Sequence, residues 1–127
     1  MIVVDASAAL AGLLNAGPAR RVLADEQLHA PHLIDSEVAN ALRGACAAAR
    51  MNADAGWAAL DAWRRLGMTR YPAHSLLDRI WELRDNLSAY DATYVALAEL
   101  LECSLLTADT RLGRAPGIGC PITVVPR

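Results

Sequence analysis

Apolar positions fall along this chain in two patterns, short continuous runs and longer stretches at helical spacing. Met1–Val4 is a β-branched run that fits a strand buried on both faces of a parallel sheet. Asp5 ends it, and Ala6–Leu14 is predicted as a helix. Gly17 and Pro18 break that helix, and Ala19–Ala24 begins another. Gln27–Ala30 predicts a second strand. Pro31 opens a long helix over His32–Met51, with Leu33, Ile34, Val38, Leu42 and Ala45 at helical spacing and Asn52 closing it. Asp54–Leu66 reads as an amphipathic helix carrying Trp57, Leu60 and Trp63, capped by Gly67. That stripe serves equally as core packing or as a protein interface, where Trp is enriched. Met68–Tyr71 is the third predicted strand. Ala73–Arg84 is a further helix, with Leu76, Leu77, Ile80 and Leu83 as its stripe. Cys103–Leu106 and Ile122–Val125 complete the strands, with a short helix over Ala108–Arg114 between them.

The stretch Leu87–Glu102, LSAYDATYVALAELLE, differs from the rest because it is apolar almost all the way round. A helix without a polar face is a buried helix. Asp91 stands in its first turn, where an isolated charge is costly unless something pairs with it. Two readings of Asp91 stand side by side. It completes a capping box with Ser88 and meets the positive end of the helix dipole, or it points into a site.

Strands alternating with helices, with no long linker, repeat or low-complexity tract, predict one α/β domain over residues 1–127 built on a parallel sheet. The chain is 54% hydrophobic and 20% charged, which excludes a disordered chain. A net charge of −2 leaves no basic footprint for non-specific nucleic-acid binding, although an enzyme whose site is built of carboxylates remains open. Every basic side chain is arginine, so mechanisms that need a lysine, a Walker lysine or a Schiff base, are unavailable. Cys46, Cys103 and Cys120 have neither disulfide-framework nor zinc spacing. They read as reduced thiols of a cytoplasmic protein, Cys46 and Cys103 in the core. No charged leader precedes the first strand, and Arg or Asp interrupts the apolar runs before a membrane-spanning length.

Candidate chemistry lies in the acids. Asp5 and Asp109 follow two predicted strands, and in open α/β sheets ligands bind beyond the carboxyl ends of the strands. Taken singly, each reads first as an N-cap of the following helix. Glu37 lies on the long helix with Asn40 and Gly44 one and two turns on, either a solvated surface acid or part of a polar seam. Asp5, Glu37, Asp91 and Asp109 come from four separate elements, and ionised carboxylates cannot share one pocket without a cation. All-oxygen ligation without His or Cys selects a hard ion, Mg²⁺ or Mn²⁺, which suits hydrolysis of a phosphodiester by in-line displacement. His29, His32 and His74 have no ligand spacing among themselves.

With IVVDASA at the start, then SEVANALR, YDATYVALAE and LLTADTRL in this order, the chain resembles the PIN-domain ribonucleases, and most closely the VapC toxins of VapBC toxin–antitoxin pairs. The resemblance covers nearly the whole chain. It implies a three-layer α/β/α fold, Mg²⁺- or Mn²⁺-dependent endonucleolytic cleavage of RNA, a homodimer, and neutralisation by a small VapB-like antitoxin. It assigns Asp5, Glu37, Asp91 and Asp109 as the acidic quartet, with Asp5, Asp91 and Asp109 on the metal. Ser7 and Thr107 match the flanking hydroxyls, and Asn40 and Arg43 the polar positions after the helix acid. Some members carry one more acid after the last; Thr110, Arg111, Leu112, Gly113 and Arg114 supply none here. Arg84, Arg111 and Arg114 flank these elements as possible phosphate contacts or as plain surface charges.

Three other classes compete. A phospho-acceptor receiver needs a strand-end lysine, which is absent, and a haloacid-dehalogenase-type phosphatase wants a second Asp where Ser7 stands. A catalytically idle PIN-like module that only binds protein is opposed by acids at all four positions.

Overall fold

The computed structural model describes residues 1–127, and its sheet is five short strands, all parallel, in the order β3-β2-β1-β4-β5. Along the chain run β1 (Ile2–Val4), α1 (Ala6–Leu14), α2 (Pro18–Asp25), β2 (Leu28–Pro31), α3 (Leu33–Ala47), α4 (Ala53–Arg65) and β3 (Met68–Tyr71). A 3₁₀ turn at His74–Leu76 then leads to α5 (Leu77–Glu82), α6 (Ala89–Leu101), β4 (Ser104–Thr107), a second 3₁₀ turn at Leu112–Arg114 and β5 (Ile122–Val124). Helices α1 to α4 pack on one another, while α6 packs with α5 and lies across β2, β1 and β4. Helices thus cover the sheet in the three-layer α/β/α arrangement, as a purely parallel sheet requires.

Burial follows the sequence pattern. β1 is buried along its whole length, with Val3 and Val4 fully enclosed. Every residue from Ala92 to Ala98 is buried, so α6 is a core helix with all faces covered through its middle. Only its ends emerge, at Tyr90 and Leu100. Three caps fix helix starts: Asp5 accepts from Ala8 N at 2.9 Å, Asn52 from Ala55 N at 2.8 Å, and Ser88 from Asp91 N at 3.1 Å.

Several expected boundaries differ. α3 stops at Ala47 rather than Met51, and Asn52 opens α4 instead of closing α3. The end of α3 is a Schellman turn: Arg50 N bonds Ala45 O, Ala49 N bonds Cys46 O, and Ala49 is left-handed at φ 58°. Gly67 is no left-handed cap, because α4 ends in extended backbone at Leu66. The helix expected over Ala73–Arg84 splits into a 3₁₀ turn and a short α5. The helix expected over Ala108–Arg114 shrinks to its last three residues. There the Asp109 carboxylate takes the Arg111 N–H at 2.9 Å, a local turn that competes with helix formation. Cys46 and Cys103, expected in the core, are only partly buried at its margin, and all three cysteines are free. No helix is long and apolar enough to cross a membrane.

Two ion-pair assemblies that the sequence pattern did not announce fasten the layers. Arg70 on β3 forks onto Asp35 of α3 at 2.6 and 2.9 Å, and Trp63 of α4 donates its indole N–H to the same carboxylate at 2.9 Å. Arg79 of α5 forks onto Glu99 of α6 at 2.6 and 3.0 Å and reaches Gly117 O at 2.8 Å, while Glu99 also takes the Gly119 N–H at 2.6 Å. The second assembly pins the loop that leads to β5 against the α5–α6 layer.

Candidate active site

Strand order reverses between β1 and β4, because successive strands step outward from β1 to β3 and the chain then returns to the other side of β1. The crevice beyond the carboxyl ends at such a switch point is where open α/β sheets bind ligands. Asp5 leaves β1 there, and Thr107, Ala108 and Asp109 leave β4 beside it.

Asp5 is buried and fully engaged. Ser7 Oγ donates to its Oδ1 at 2.7 Å, Ala8 N donates to the same oxygen, and Thr107 Oγ1 donates to Oδ2 at 2.5 Å. The hydroxyls link the two strand ends, since Ser7 Oγ accepts from Ala108 N at 2.9 Å and Thr107 Oγ1 accepts from Asp109 N at 3.0 Å. Ser7 and Thr107 therefore both serve the Asp5 carboxylate. Thr107 touches Asp109 only at its backbone. Burial raises the Asp5 pKa above its ordinary value, hydrogen bonds from Thr107, Ser7 and Ala8 pull it back in part, and the charge of Asp109 adds to the rise.

Glu37 projects from α3 and accepts from Tyr94 Oη of α6 at 2.5 Å. Burial raises its pKa, against the Tyr94 hydrogen bond, and the charges of Asp91 and Asp5 raise it further. Asp91 sits one turn into α6. Ser88 takes its backbone N–H, but no return bond from the Asp91 carboxylate to the Ser88 backbone forms, so the capping box is only half made. Burial raises the Asp91 pKa, and the neighbouring charges of Asp5 and Asp109 raise it further. Asp109 differs, because Arg111 lies against its carboxylate, Nε at 3.3 Å and Nη2 at 3.2 Å, and holds its pKa below the ordinary value.

Asp5, Asp91 and Asp109 thus feel one another's charge, and Glu37 feels those of Asp91 and Asp5. Asp91, Asp109 and Arg111 also line a cleft of about 260 Å³ together with Asn86, Leu87 and Ser88. The donor set is all oxygen, carboxylates with two hydroxyls, which suits a hard divalent cation such as Mg²⁺ or Mn²⁺ in kind. As they stand, however, no three acidic, histidine or cysteine side chains close around a single point that would hold an ion. Each of Asp5, Glu37 and Asp109 is held on its own protein donors.

The remaining expected residues are placed less centrally. Arg43 Nε bonds Asn40 Oδ1 at 3.1 Å, so these two exposed side chains pair with each other and with none of the four acids. Arg84 folds back over Trp81 at 4.9 Å and donates to Trp81 O, away from the cleft lining. Of the arginines proposed for phosphate, Arg111 alone contacts one of the acids. Tyr94 was read from the sequence only as an apolar position. Its hydroxyl in a buried helix needs a partner, and that requirement was the available signal.

Comparison with known proteins agrees with this geometry. Residues 2–118 match the PIN domain family. The chain is 61% identical to Ribonuclease VapC9 of Mycobacterium tuberculosis over the whole of both chains. It is 44% identical to Ribonuclease VapC1 of the same organism, covering 97% of this chain and 96% of that one. Among solved structures, a protein of Pyrobaculum aerophilum superposes with a TM-score of 0.71 at 26% identity, over 95% of this chain and 81% of that one. VapC20 of Mycobacterium tuberculosis, described as a sarcin-ricin loop cleaving toxin, superposes with a TM-score of 0.66 at 21% identity, over 94% of this chain and 97% of that one. A switch-point crevice lined with acids and a match of this length lead to one conclusion: the chain belongs to the PIN-domain family and, within it, to the VapC ribonucleases.

Proposed function

We propose that this chain is a divalent-metal-dependent endoribonuclease, the toxin of a VapBC-type pair, and that one PIN-like domain over residues 1–127 carries the whole activity. The observation that supports it most is that Asp5 and Asp109 leave adjoining strand ends, while Asp5, Glu37 and Asp91 all have pKa values raised by burial and by the charge of neighbouring acids of this set. In this reading Asp5, Asp91 and Asp109 hold Mg²⁺ or Mn²⁺. The bound cation supplies positive charge that stabilises the in-line displacement at phosphorus.

The chain's own groups do the rest. Ser7 and Thr107 fix both oxygens of Asp5, so that its carboxylate cannot rotate. Tyr94 holds Glu37 by Oε1 and leaves Oε2 free to take a proton from the attacking water. A Glu pKa raised by burial brings that base nearer to working pH. The backbone N–H of Asp109, spent on Thr107, keeps the strand end in register with β1.

The partners that follow are RNA, a VapB-like antitoxin and a second copy of the chain. The crystal structure of VapBC2 from Rickettsia felis bound to a promoter DNA fragment superposes with a TM-score of 0.68 at 11% identity, over 98% of this chain and 99% of that one, which bears on the fold alone.

The deciding experiment maps RNA ends after incubation with wild type and with Asp5→Asn, in Mg²⁺, Mn²⁺, Ca²⁺ and excess chelator. Discrete cleavage in Mg²⁺ or Mn²⁺, lost with chelator and in Asp5→Asn, is the expected result, with little turnover in the larger Ca²⁺. Undiminished cleavage in chelator would refute the metal assignment. Full activity of Asp5→Asn would refute the site.

A further inference from the structure

Asp109 is the only one of the four acids with a cationic partner, and the form of that pairing is informative. Arg111 is anchored by its backbone, whose N–H is bound by Asp109 Oδ1 at 2.9 Å. Its guanidinium makes no other hydrogen bond than the two to Asp109, at 3.3 and 3.2 Å. The side chain is 88% exposed. The Arg70–Asp35 fork offers an internal standard. It closes at 2.6 and 2.9 Å with Arg70 26% exposed and with Trp63 on the same carboxylate. Charge-assisted pairs close to about 2.7–2.9 Å when they are tight. Asp35–Arg70 is a lock, and Asp109–Arg111 is a loose latch at the mouth of the cleft that Asp91 also lines.

We propose that Arg111 is an internal counter-ion for Asp109, one that competes with the divalent cation and is displaced when the cation takes the carboxylate. This rests on the reading of Asp5, Asp91 and Asp109 as cation-holding residues. It accounts for the Asp109 carboxylate being turned to a protein donor while the acids do not close around one point. Because Asp109 keeps the backbone N–H of Arg111, displacement needs only side-chain rotation, and the freed guanidinium stays on the rim of the cleft. The structure then carries a mild brake on metal loading that depends on ionic strength, since exposed pairs are screened by salt.

The test measures Mn²⁺ affinity of the RNA-free, antitoxin-free protein by electron paramagnetic resonance of unbound Mn²⁺. It compares wild type, Arg111→Gln, Arg114→Gln, Asp91→Asn, Asp109→Asn and the Arg111→Gln/Asp109→Asn double variant. Arg114 makes no ion pair and gauges the general effect of losing one positive charge. Arg111→Gln is expected to bind Mn²⁺ about two- to five-fold tighter than wild type, the range for removing an exposed ion-pair competitor. Arg114→Gln should change it less, and the gain from Arg111→Gln should vanish in the Asp109→Asn background. Raising the salt should shrink the difference between wild type and Arg111→Gln. Equal gains from both arginine variants, or none from Arg111→Gln, alongside weakened binding in Asp109→Asn, would overturn the counter-ion role and leave the metal site standing. Unchanged affinity in both Asp91→Asn and Asp109→Asn would overturn the metal site itself, and the proposal with it.

Discussion

Tyr94 Oη donates to Glu37 Oε1 across 2.5 Å, so the buried core helix α6 holds the one acid of the site that comes from α3. Glu37 has no other protein donor, and Tyr94 is itself only 2% exposed. The bond therefore fixes an otherwise free carboxylate from a side chain that core packing has already immobilised.

Tyr94→Phe keeps the ring and removes only that donor. The expected cost in stability is about 1 kcal/mol. Catalysis should suffer more than folding, because Glu37 is no longer aimed. The hydrogen bond lowers the Glu37 pKa against burial, so its loss should move the acid limb of the pH–rate profile upward. Stopped-time cleavage assays across pH, paired with thermal melts, check both. An unaltered profile with full activity would reduce Tyr94 to a core residue.

The two tryptophans of α4, whose spacing left core packing and a protein interface both open, part company. Trp63 is 1% exposed and bonded to Asp35, whereas Trp57 is 57% exposed with Arg64 over its ring at 5.3 Å. Trp63→Ala should cost about 3–5 kcal/mol, through the cavity and the loss of a donor to Asp35. Trp57→Ala should change stability by no more than about 0.5 kcal/mol. Any role of this helix in binding a partner then falls to Trp57. Denaturant melts of both variants, with sedimentation to follow association, separate core from surface.

Helices α3 and α6 both end in Schellman turns whose left-handed residue is not glycine: Ala49 at φ 58° and Glu102 at φ 53°. A side chain in that conformation costs roughly 1–2 kcal/mol, offset by the greater freedom of glycine in the unfolded chain. Ala49→Gly should therefore stabilise the protein by about 0.5–1 kcal/mol without touching activity. A destabilised Ala49→Gly would contradict the cap geometry at the end of α3.

Where one residue's neighbours decide its structure, the sequence was readable. The unbroken apolar run of α6 foretold its seven consecutive buried residues, and the short β-branched runs foretold β1 and β4. The cap and site readings of Asp5 proved compatible: the same carboxylate caps Ala8 and receives Ser7 and Thr107. What stayed hidden depends on partners far apart in the chain. Nothing near Asp35 points to Arg70, 35 residues on, or near Arg79 to Glu99. The end of α3 was misjudged because the usual glycine signal is replaced by Ala49. The turn after β4 was misjudged because Asp109, counted for the site, also takes the backbone N–H that a helix would need.

The acids divide by the sign of their pKa shift, and that division sets the pH dependence of stability. Asp5, Glu37 and Asp91 are raised above ordinary values of 3.8, 4.5 and 3.8, chiefly by burial. Between the ordinary and the raised values, the folded state holds more protons than the unfolded one, so stability falls as pH rises through that window. Asp35 and Glu99 are lowered by Arg70 and Arg79, so their contribution is complete above the ordinary values and is lost as pH falls through the depressed ones. Asp5→Asn removes one member of the first group and keeps a competent cap, since Asn caps helices about as well as Asp. In chelator, Asp5→Asn should therefore melt at or slightly above the wild-type temperature near neutral pH. That advantage should fade as pH drops below the ordinary carboxylate value, where wild-type Asp5 is protonated in both states. Melts of both proteins from about pH 3 to 8 read the difference directly. If Asp5→Asn is the less stable protein at neutral pH and draws level only in acid, burial of the Asp5 charge is not the cost that this site bears.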